Sequence, residues 1–594
     1  MPTTGPTRAA FVLLLSVAAW GFFYGLGAIP LLDDPNEAQY AEVAREIVES
    51  GDWLSPHLNY ALFLNKPPLA YWLIALADSA FGINEFAARL PSALAGLAIV
   101  ALVVWLGALL FDLQTGLLAG AVLLATGGFF VETHEVRPDL LLTASVIGSL
   151  VASAYVLRLR DGTAGRDRRA TTVCEPHASA THWPLLGLQA CLAAGLLAKG
   201  LAALFVPACV IAVLVVTERR SGVRTLFHPK RWWLFLLLIA PWHVLMSLRH
   251  PGFVWDYVVH QHVLFFFDQK VPRDSVPVPL AVFWGALALR LFPWTLFAPL
   301  AIVAAVRRAW RAPDAAGDRL LLAWAAATLV LFSAAPSRME HYSLPAVPAF
   351  PLLMAKMFRD YARGAGAVAP RVVTGHVLAL AALALAGPFL VPRLVAAQEW
   401  LAPVRELPAL AQAVFALVAA GAALAACAAV AGYRAWVPLI IVAMFVVTIP
   451  SFHHGLSLLA RVDSSAGLAA EVQRINTPGG EVVYAAPIEY QSGAGLNFYL
   501  RRKLAMVRPV GFVAPRYLEP HLDELFINRS DLERMWRHEP VILITDRETV
   551  HDGLTGADAP PVHVVARDHA RQVLSNHPAV GDRGAQPAVP AGLP

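Results

Sequence analysis

Residues 12–53 read VLLLSVAAWGFFYGLGAIPLLDDPNEAQYAEVAREIVESGDW. About twenty apolar residues end abruptly in Asp33, Asp34 and Glu37, and a charged segment follows. A run of that length crosses the ~30 Å hydrocarbon core of a bilayer, so the three acids stand at the mouth of a membrane span. The rest of the chain repeats the pattern. Of its 594 residues 57% are hydrophobic and 15% charged, against roughly 25% charged in soluble domains, and mean hydropathy is +0.57. Apolar spans start near Ala10, Leu90, Thr115, Leu140, Leu185, Leu201, Trp232, Pro279, Leu320, Leu344, Val373, Leu407 and Ala435, about thirteen in all. The fold class is a polytopic α-helical membrane protein embedded in a lipid bilayer. A net charge of +4 carries no basic stripe for nucleic acid. The four cysteines show no CxxC or metal spacing, which excludes a disulfide framework.

Short loops rich in Lys and Arg stay in the cytoplasm. Loops 158–182, 218–231 and 307–319 carry such clusters and fall on one side when thirteen spans are threaded alternately. The N-terminus is then cytoplasmic, the first span is a retained helix, and the chain beyond about Ser451 lies outside. The opposite loops are 33–89, VETHEVRPD (131–139), Lys199, 249–277 and SRMEHYSLP (337–345), and they hold nearly every His, Asp and Glu of the membrane domain. Single polar residues at a membrane mouth are often just solvated. Five such loops on one face point to a site.

Within the first external loop, PNEAQYAEVAREIVESGDW (35–53) predicts a helix. Pro35 suits a first turn, Glu37 suits its positive end, and Ala38, Ala41, Ala44, Ile47 and Val48 form an apolar face against Glu42, Arg45, Glu46 and Glu49. NKPPLAYWLIALADSAFG (65–82) predicts a second helix too short to span. Both are expected along the membrane surface, holding Asp33, Asp34, Glu37 and Lys66 at the boundary where a lipid headgroup sits.

The run DDPNEAQYAEVAREIVESGDWLSPHLN, then NKPPLAYWLIAL, GINEFAARLPSALAGL, AKGLAALFVP, APWHVLMSLRHPGFVWDYVVHQHVLFFF, FPWTLFAPL and SRMEHYSLPAVPAFPLL, resembles the polyprenyl-phosphate-dependent membrane glycosyltransferases of the GT-C type. Lipid A aminoarabinose transferases and bacterial protein mannosyltransferase-like enzymes are the nearest in kind. The resemblance covers about residues 10–360 well. It implies an enzyme that moves a sugar, with inversion, from a polyprenyl (undecaprenyl) phosphate donor to a periplasmic acceptor such as lipid A or another glycolipid. It implies a protein that acts as a monomer. A protein acceptor and a lipid-linked-sugar transporter are the alternatives, and the near absence of charge in mid-span favours an enzyme.

That chemistry needs a carboxylate to take the acceptor's proton and cations to hold the departing phosphate. By motif, Lys66 matches the donor-phosphate lysine, Arg338 a second phosphate ligand, and Lys199 a third. In relatives the first-loop motif reads Asp-Glu-x-Arg-Tyr with the Asp as base, whereas here Asn36 precedes Glu37. An amide cannot accept a proton at neutral pH, so the role passes to Asp34 first, to Glu37 second, and otherwise to an acid of another loop such as Asp139. Arg137 and Asp139 line the site or cap a helix; Glu340, His341 and Tyr342 line the acceptor side. His260 and His262, at i and i+2, share no helix face. In some relatives an acid before the KPP lysine joins a histidine in a metal site; Asn65 stands there now, which disfavours a divalent metal. No cofactor is required.

After residue 450 the composition changes. GGEVVYAAP, EPVILITDRE and PVHVVARD predict buried strands, SAGLAAEVQRIN and RSDLERMWRH helices, and together a small periplasmic α/β domain over 451–577. The membrane glycosyltransferase domain is 1–450, and the Pro/Gly/Ala-rich tail 578–594 is expected to be disordered.

Overall fold

The computed structural model describes residues 5–32, 37–157, 182–218, 232–273, 276–311, 315–475, 480–485, 490–509, 511–546, 554, 560–568 and 571–577. Asp33, Asp34, Asn36, the basic loops 158–181 and 219–231, and the tail 578–594 lie outside the described residues. Each expected span start falls on or beside a helix. Among the described residues seven helices are long and apolar enough to cross a membrane. They include α1 (Gly5–Phe23), α4 (Glu85–Leu110) and α7 (Pro138–Val156). Between them lie α2 (Glu37–Ser50), α3 (Leu69–Phe81), α5 (Leu113–Leu124) and α6 (Gly127–Glu132), followed by α8 (His182–Lys199) and α9 (Ala202–Glu218). The chain is a multi-pass membrane protein.

Small residues let these helices approach. A Cβ on Gly116 of α5 would stand 2.3 Å from the Val104 carbonyl oxygen of α4, so the backbones touch where lipid supplies no hydrophobic drive. The span expected to start at Pro279 is split instead into Leu280–Arg290 and Phe297–Arg311. The last apolar helix runs from Trp436 to Leu459, past the expected boundary at 451.

The segment between α1 and α4 departs most from expectation. Helix α2 forms as read, but its charged face is covered: Glu42, Arg45 and Glu46 are as buried as its alanines. Arg45 forks onto Glu42 at 2.7 Å through two nitrogens and reaches Glu49 at 2.7 Å, while Glu46 accepts the Tyr60 amide at 3.0 and 3.1 Å. Buried charges persist only when so paired. The cover is a short hairpin, β1 (His57–Leu58) and β2 (Ala61–Leu62), and the sheet-containing unit beyond it.

That unit contains six strands: β3 (Glu481–Ala485), β4 (Ala505–Val507), β5 (Phe526–Ile527), β6 (Val541–Asp546), β7 (His563–Arg567) and β8 (Arg571–Ser575). Their order is β5-β4-β3-β6-β8-β7, parallel from β5 to β6 and antiparallel across β6, β8 and β7. Alternation divides the strands between two cores. Val482, Tyr484, Ile542 and Ile544 join Leu31, Tyr40, Phe63 and Tyr71 of the first loop in one apolar cluster, while Val483, Val541 and Leu543 pack on Leu532 and Trp536 of the helix Arg529–His538. The sheet thus rests one face on the segment between α1 and α4. Polar contacts pin it: Asn59 exchanges hydrogen bonds with both backbone groups of Leu504 (2.8 and 2.9 Å) and accepts from Asn497 (2.7 Å), and the Tyr499 hydroxyl accepts from the Leu31 amide (2.7 Å) and donates to Glu85 (3.0 Å).

Candidate active site

The five polar loops meet. Helix α8 ends at Lys199 because Gly200, at φ +83°, takes the left-handed turn favoured after a helix. A Cβ there would fall 2.0 Å from His262 Nε2, so the turn is sealed by that ring. The Lys199 ammonium is thereby aimed at Asp139 in the first turn of α7, with which it forms a buried ion pair, and it lies 4.9 Å from the centre of the Tyr342 ring. Lys66 is near enough for its charge to act on Lys199 and on His262. The charges of Arg137 and His341 act on Asp139. Tyr40 closes the group from α2, and burial, with Tyr71 and Asp139 adding, raises its hydroxyl above the usual phenol range.

Beside this pair runs a second ionic row. Arg137 holds Glu135 at 2.6 Å and faces Glu132 at 3.8 Å; Arg290 reaches Glu132 at 3.3 Å and donates to the Glu340 carbonyl at 2.6 Å. Glu340 accepts from His341 at 3.1 Å, and that hydrogen bond holds its carboxyl down at about 2. Burial pushes the His341 imidazole below its ordinary value.

Glu37 occupies a structural position. Its carboxylate accepts from Arg89 Nε and Nη2 (2.7 and 2.8 Å), from the Leu32 amide (2.8 Å) and from the Val136 amide (3.1 Å). Arg89 in turn donates to the carbonyls of Leu26, Ile29 and Pro30. Four donors thus surround the carboxylate expected as second-choice base, and they tie the start of α2 to α4 and to the 131–139 loop. The Arg338 guanidinium, expected as a phosphate ligand, donates to the carbonyls of Ser333 (3.2 Å) and Val278 (3.4 Å).

The two histidines have separate partners. His260 Nε2 contacts the Val271 carbonyl at 2.8 Å, and His262 Nδ1 donates to the Tyr257 carbonyl at 2.6 Å. Among the described residues no group of three or more His, Cys, Asp or Glu is placed to hold a metal. The Asn65 carbonyl oxygen accepts from Gln261 (2.8 Å) and from the Tyr517 hydroxyl (3.3 Å), so the amide is engaged in hydrogen bonds and does not fit a metal.

Several members escape sequence reading. Lys270 is buried, donates to Gln261 Oε1 at 3.0 Å, and its ammonium lies 5.9 Å from the Phe265 ring centre, with Lys66 at 5.8 Å from the same ring. Arg290, a lone cation in an apolar run, was a signal in itself. Gln491, which accepts from Gln39 at 2.6 Å, and Tyr517 come from the sheet unit and carried none.

Bundled apolar helices, short helices after the first span and a shared polar face make a polytopic membrane fold of the GT-C type. The structure is similar to that of ArnT from Cupriavidus metallidurans bound to undecaprenyl phosphate, with a TM-score of 0.78 at 23% identity over 97% of this chain and 99% of that one. Residues 9–258 match the family described as dolichyl-phosphate-mannose-protein mannosyltransferase. The undecaprenyl phosphate-alpha-4-amino-4-deoxy-L-arabinose arabinosyl transferase of Erwinia tasmaniensis is 30% identical over 345 residues, 57% of this chain and 58% of that protein. The enzyme of the same name from Aeromonas salmonicida is 31% identical over 353 residues, 56% of this chain and 58% of its own length. The match thus spans 58% of the length of these curated relatives. The resemblance drawn from the loop motifs is borne out.

Proposed function

We propose that the chain is an inner-membrane glycosyltransferase that transfers a sugar from undecaprenyl phosphate to an external glycolipid such as lipid A. The observation that carries this is the buried Lys199–Asp139 pair, with Lys66 near enough for its charge to act on Lys199. Two ammonium groups and Arg137, close enough for their charges to act on one another, suit a phosphate whose negative charge grows as the glycosidic bond breaks. Fixed cations in a water-poor site stabilise that charge far better than water does. Asp139 and the Tyr342 face hold the Lys199 ammonium in place, so little reorganisation is left for the reaction itself. In this reading the N-terminus is cytoplasmic and the sheet unit periplasmic, and the protein acts as a monomer. No step runs through a metal.

The names of the relatives make 4-amino-4-deoxy-L-arabinose the first donor sugar to test. Purified protein in nanodiscs, given undecaprenyl phosphate carrying that sugar together with lipid A, should release undecaprenyl phosphate and add the sugar to lipid A, as read by mass spectrometry. Lys66→Ala should weaken undecaprenyl phosphate binding. Wild-type protein that binds undecaprenyl phosphate but transfers no sugar from any polyprenyl-phosphate donor would overturn the proposal.

A further inference from the structure

The reaction needs a proton acceptor, and Asn36 cannot be one. The carboxylates around the site differ in what already engages them. Glu37 is saturated by four donors, Asp139 is paired with Lys199, and Glu132 is buried between Arg290 and Arg137. Glu340 is accessible, but its hydrogen bond from His341 makes it too weak a base. Glu135 is different. One oxygen, Oε2, accepts from Arg137 Nε at 2.6 Å, and among the described residues no donor engages the other. Its side chain keeps 15% of its surface open. The following residue, Val136, donates its amide to Glu37, so the loop that carries Glu135 is docked on the residue adjoining Asn36.

We infer that Glu135 is the general base, its free oxygen Oε1 taking the proton of the acceptor hydroxyl; this rests on the glycosyltransferase reading above. The hydroxyl oxygen then bonds to the anomeric carbon, the bond from that carbon to the phosphate oxygen breaks, and its electron pair leaves with undecaprenyl phosphate, beside Lys66 and Lys199. The proton stays on Glu135 and passes to water at the open edge. Arg137 fixes the carboxylate through the oxygen that does not react, and its other neighbour, Asp139, ties the base to the phosphate side of the site.

The environment suits a base working near neutrality. Burial raises the Glu135 carboxyl to about 7, with the charges of Glu132 and Glu37 adding and Arg137 opposing. A general base is most effective when its pKa lies near the working pH. Transfer should therefore fall as pH drops through about 7.

The test uses the full chain in nanodiscs. Glu135→Gln keeps an amide oxygen for Arg137 but cannot take a proton. It should lower kcat by ~10²- to 10⁴-fold, the range general-base removal produces, leave undecaprenyl phosphate affinity and melting temperature unchanged, and abolish the acid limb of the pH profile. Adding Asn36→Asp to Glu135→Gln should restore part of the turnover. A Glu135→Gln protein with wild-type turnover overturns the inference, and an inactive Asp34→Asn beside it would move the base to the first loop. Loss of melting temperature and turnover together, unrelieved by Asn36→Asp, also overturns it in favour of a structural role. Wild-type protein inactive with every donor sinks the glycosyltransferase reading itself, a result separable from the others.

Discussion

Replacing Glu37 by Ala distinguishes a structural carboxylate from a chemical one. In the folded chain all five guanidinium N–H groups of Arg89 have acceptors: two meet Glu37 and three meet the carbonyls of Leu26, Ile29 and Pro30. Both side chains of this pair are 3% exposed. The substitution strands two guanidinium donors and the amides of Leu32 and Val136 in a site that water barely reaches. Breaking a buried ion pair from one side costs about 3–5 kcal/mol, because the remaining charge stays uncompensated. The two stranded amides, worth ~1 kcal/mol each when hydrogen bonded, overlap with that figure, so the expected loss is about 4 kcal/mol. Unfolding of purified protein in mixed micelles by increasing SDS, followed by circular dichroism, measures it. Removing both partners, in Glu37→Ala/Arg89→Met, should recover much of the loss, since no lone charge remains. Glu37→Gln should keep its turnover per folded molecule. An unfolding free energy for Glu37→Ala within ~1 kcal/mol of wild type, or a stable but inactive Glu37→Gln, would refute the reasoning and return Glu37 to the chemistry.

Other outcomes follow from single contacts. Asn59→Ala leaves Leu504 and Asn497 without their buried partners and should cost about 2–3 kcal/mol; limited proteolysis should cut the sheet unit faster while helix content stays constant. Gly200→Ala must accept a left-handed φ and a Cβ 2.0 Å from His262 Nε2, so the melting temperature should fall, and His262→Ala in the same chain should recover part of it. Lys199→Met should slow transfer by roughly 10²- to 10³-fold, as loss of one fixed donor does in other charge-stabilising sites. Unaltered donor turnover in Lys199→Met would remove Lys199 from the phosphate site.

The sequence carried the membrane part of the fold well, because apolar length and interruption are local properties. Helices α2 and α3, the Lys199–Gly200 turn, three of the six strands and both predicted helices of the sheet unit stand where pattern put them. Strands β4, β5 and β8 did not stand out, the first two being three and two residues long. The polar face of α2 misled for a physical reason: periodicity shows that Glu42, Arg45 and Glu46 share a face, but not that a distant segment will cover it. Most of the site was legible as loops, since Lys66, Asp139, Lys199, His341 and Tyr342 all come together. Their partners were not. Whether a carboxylate is saturated, as at Glu37, or half free, as at Glu135, depends on donors from segments far apart in the chain. The base expected at Asp34 lies outside the described residues.

The contacts of Asn59, Tyr499, Gln491 and Tyr517 bear on how chains of this fold could exchange parts. The sheet unit grips the first external loop through pairs whose members lie 438 and 468 positions apart in the chain, Asn59 with Asn497 and Leu31 with Tyr499. A chimera that joins the bundle of one relative to the sheet unit of another at residue 460 would therefore split a single cooperative body. Moving residues 31–65 with the C-terminal third would keep those pairs only if Arg89 and the Val136 segment, which hold Glu37, were matched as well. The chain's natural module is discontinuous in sequence.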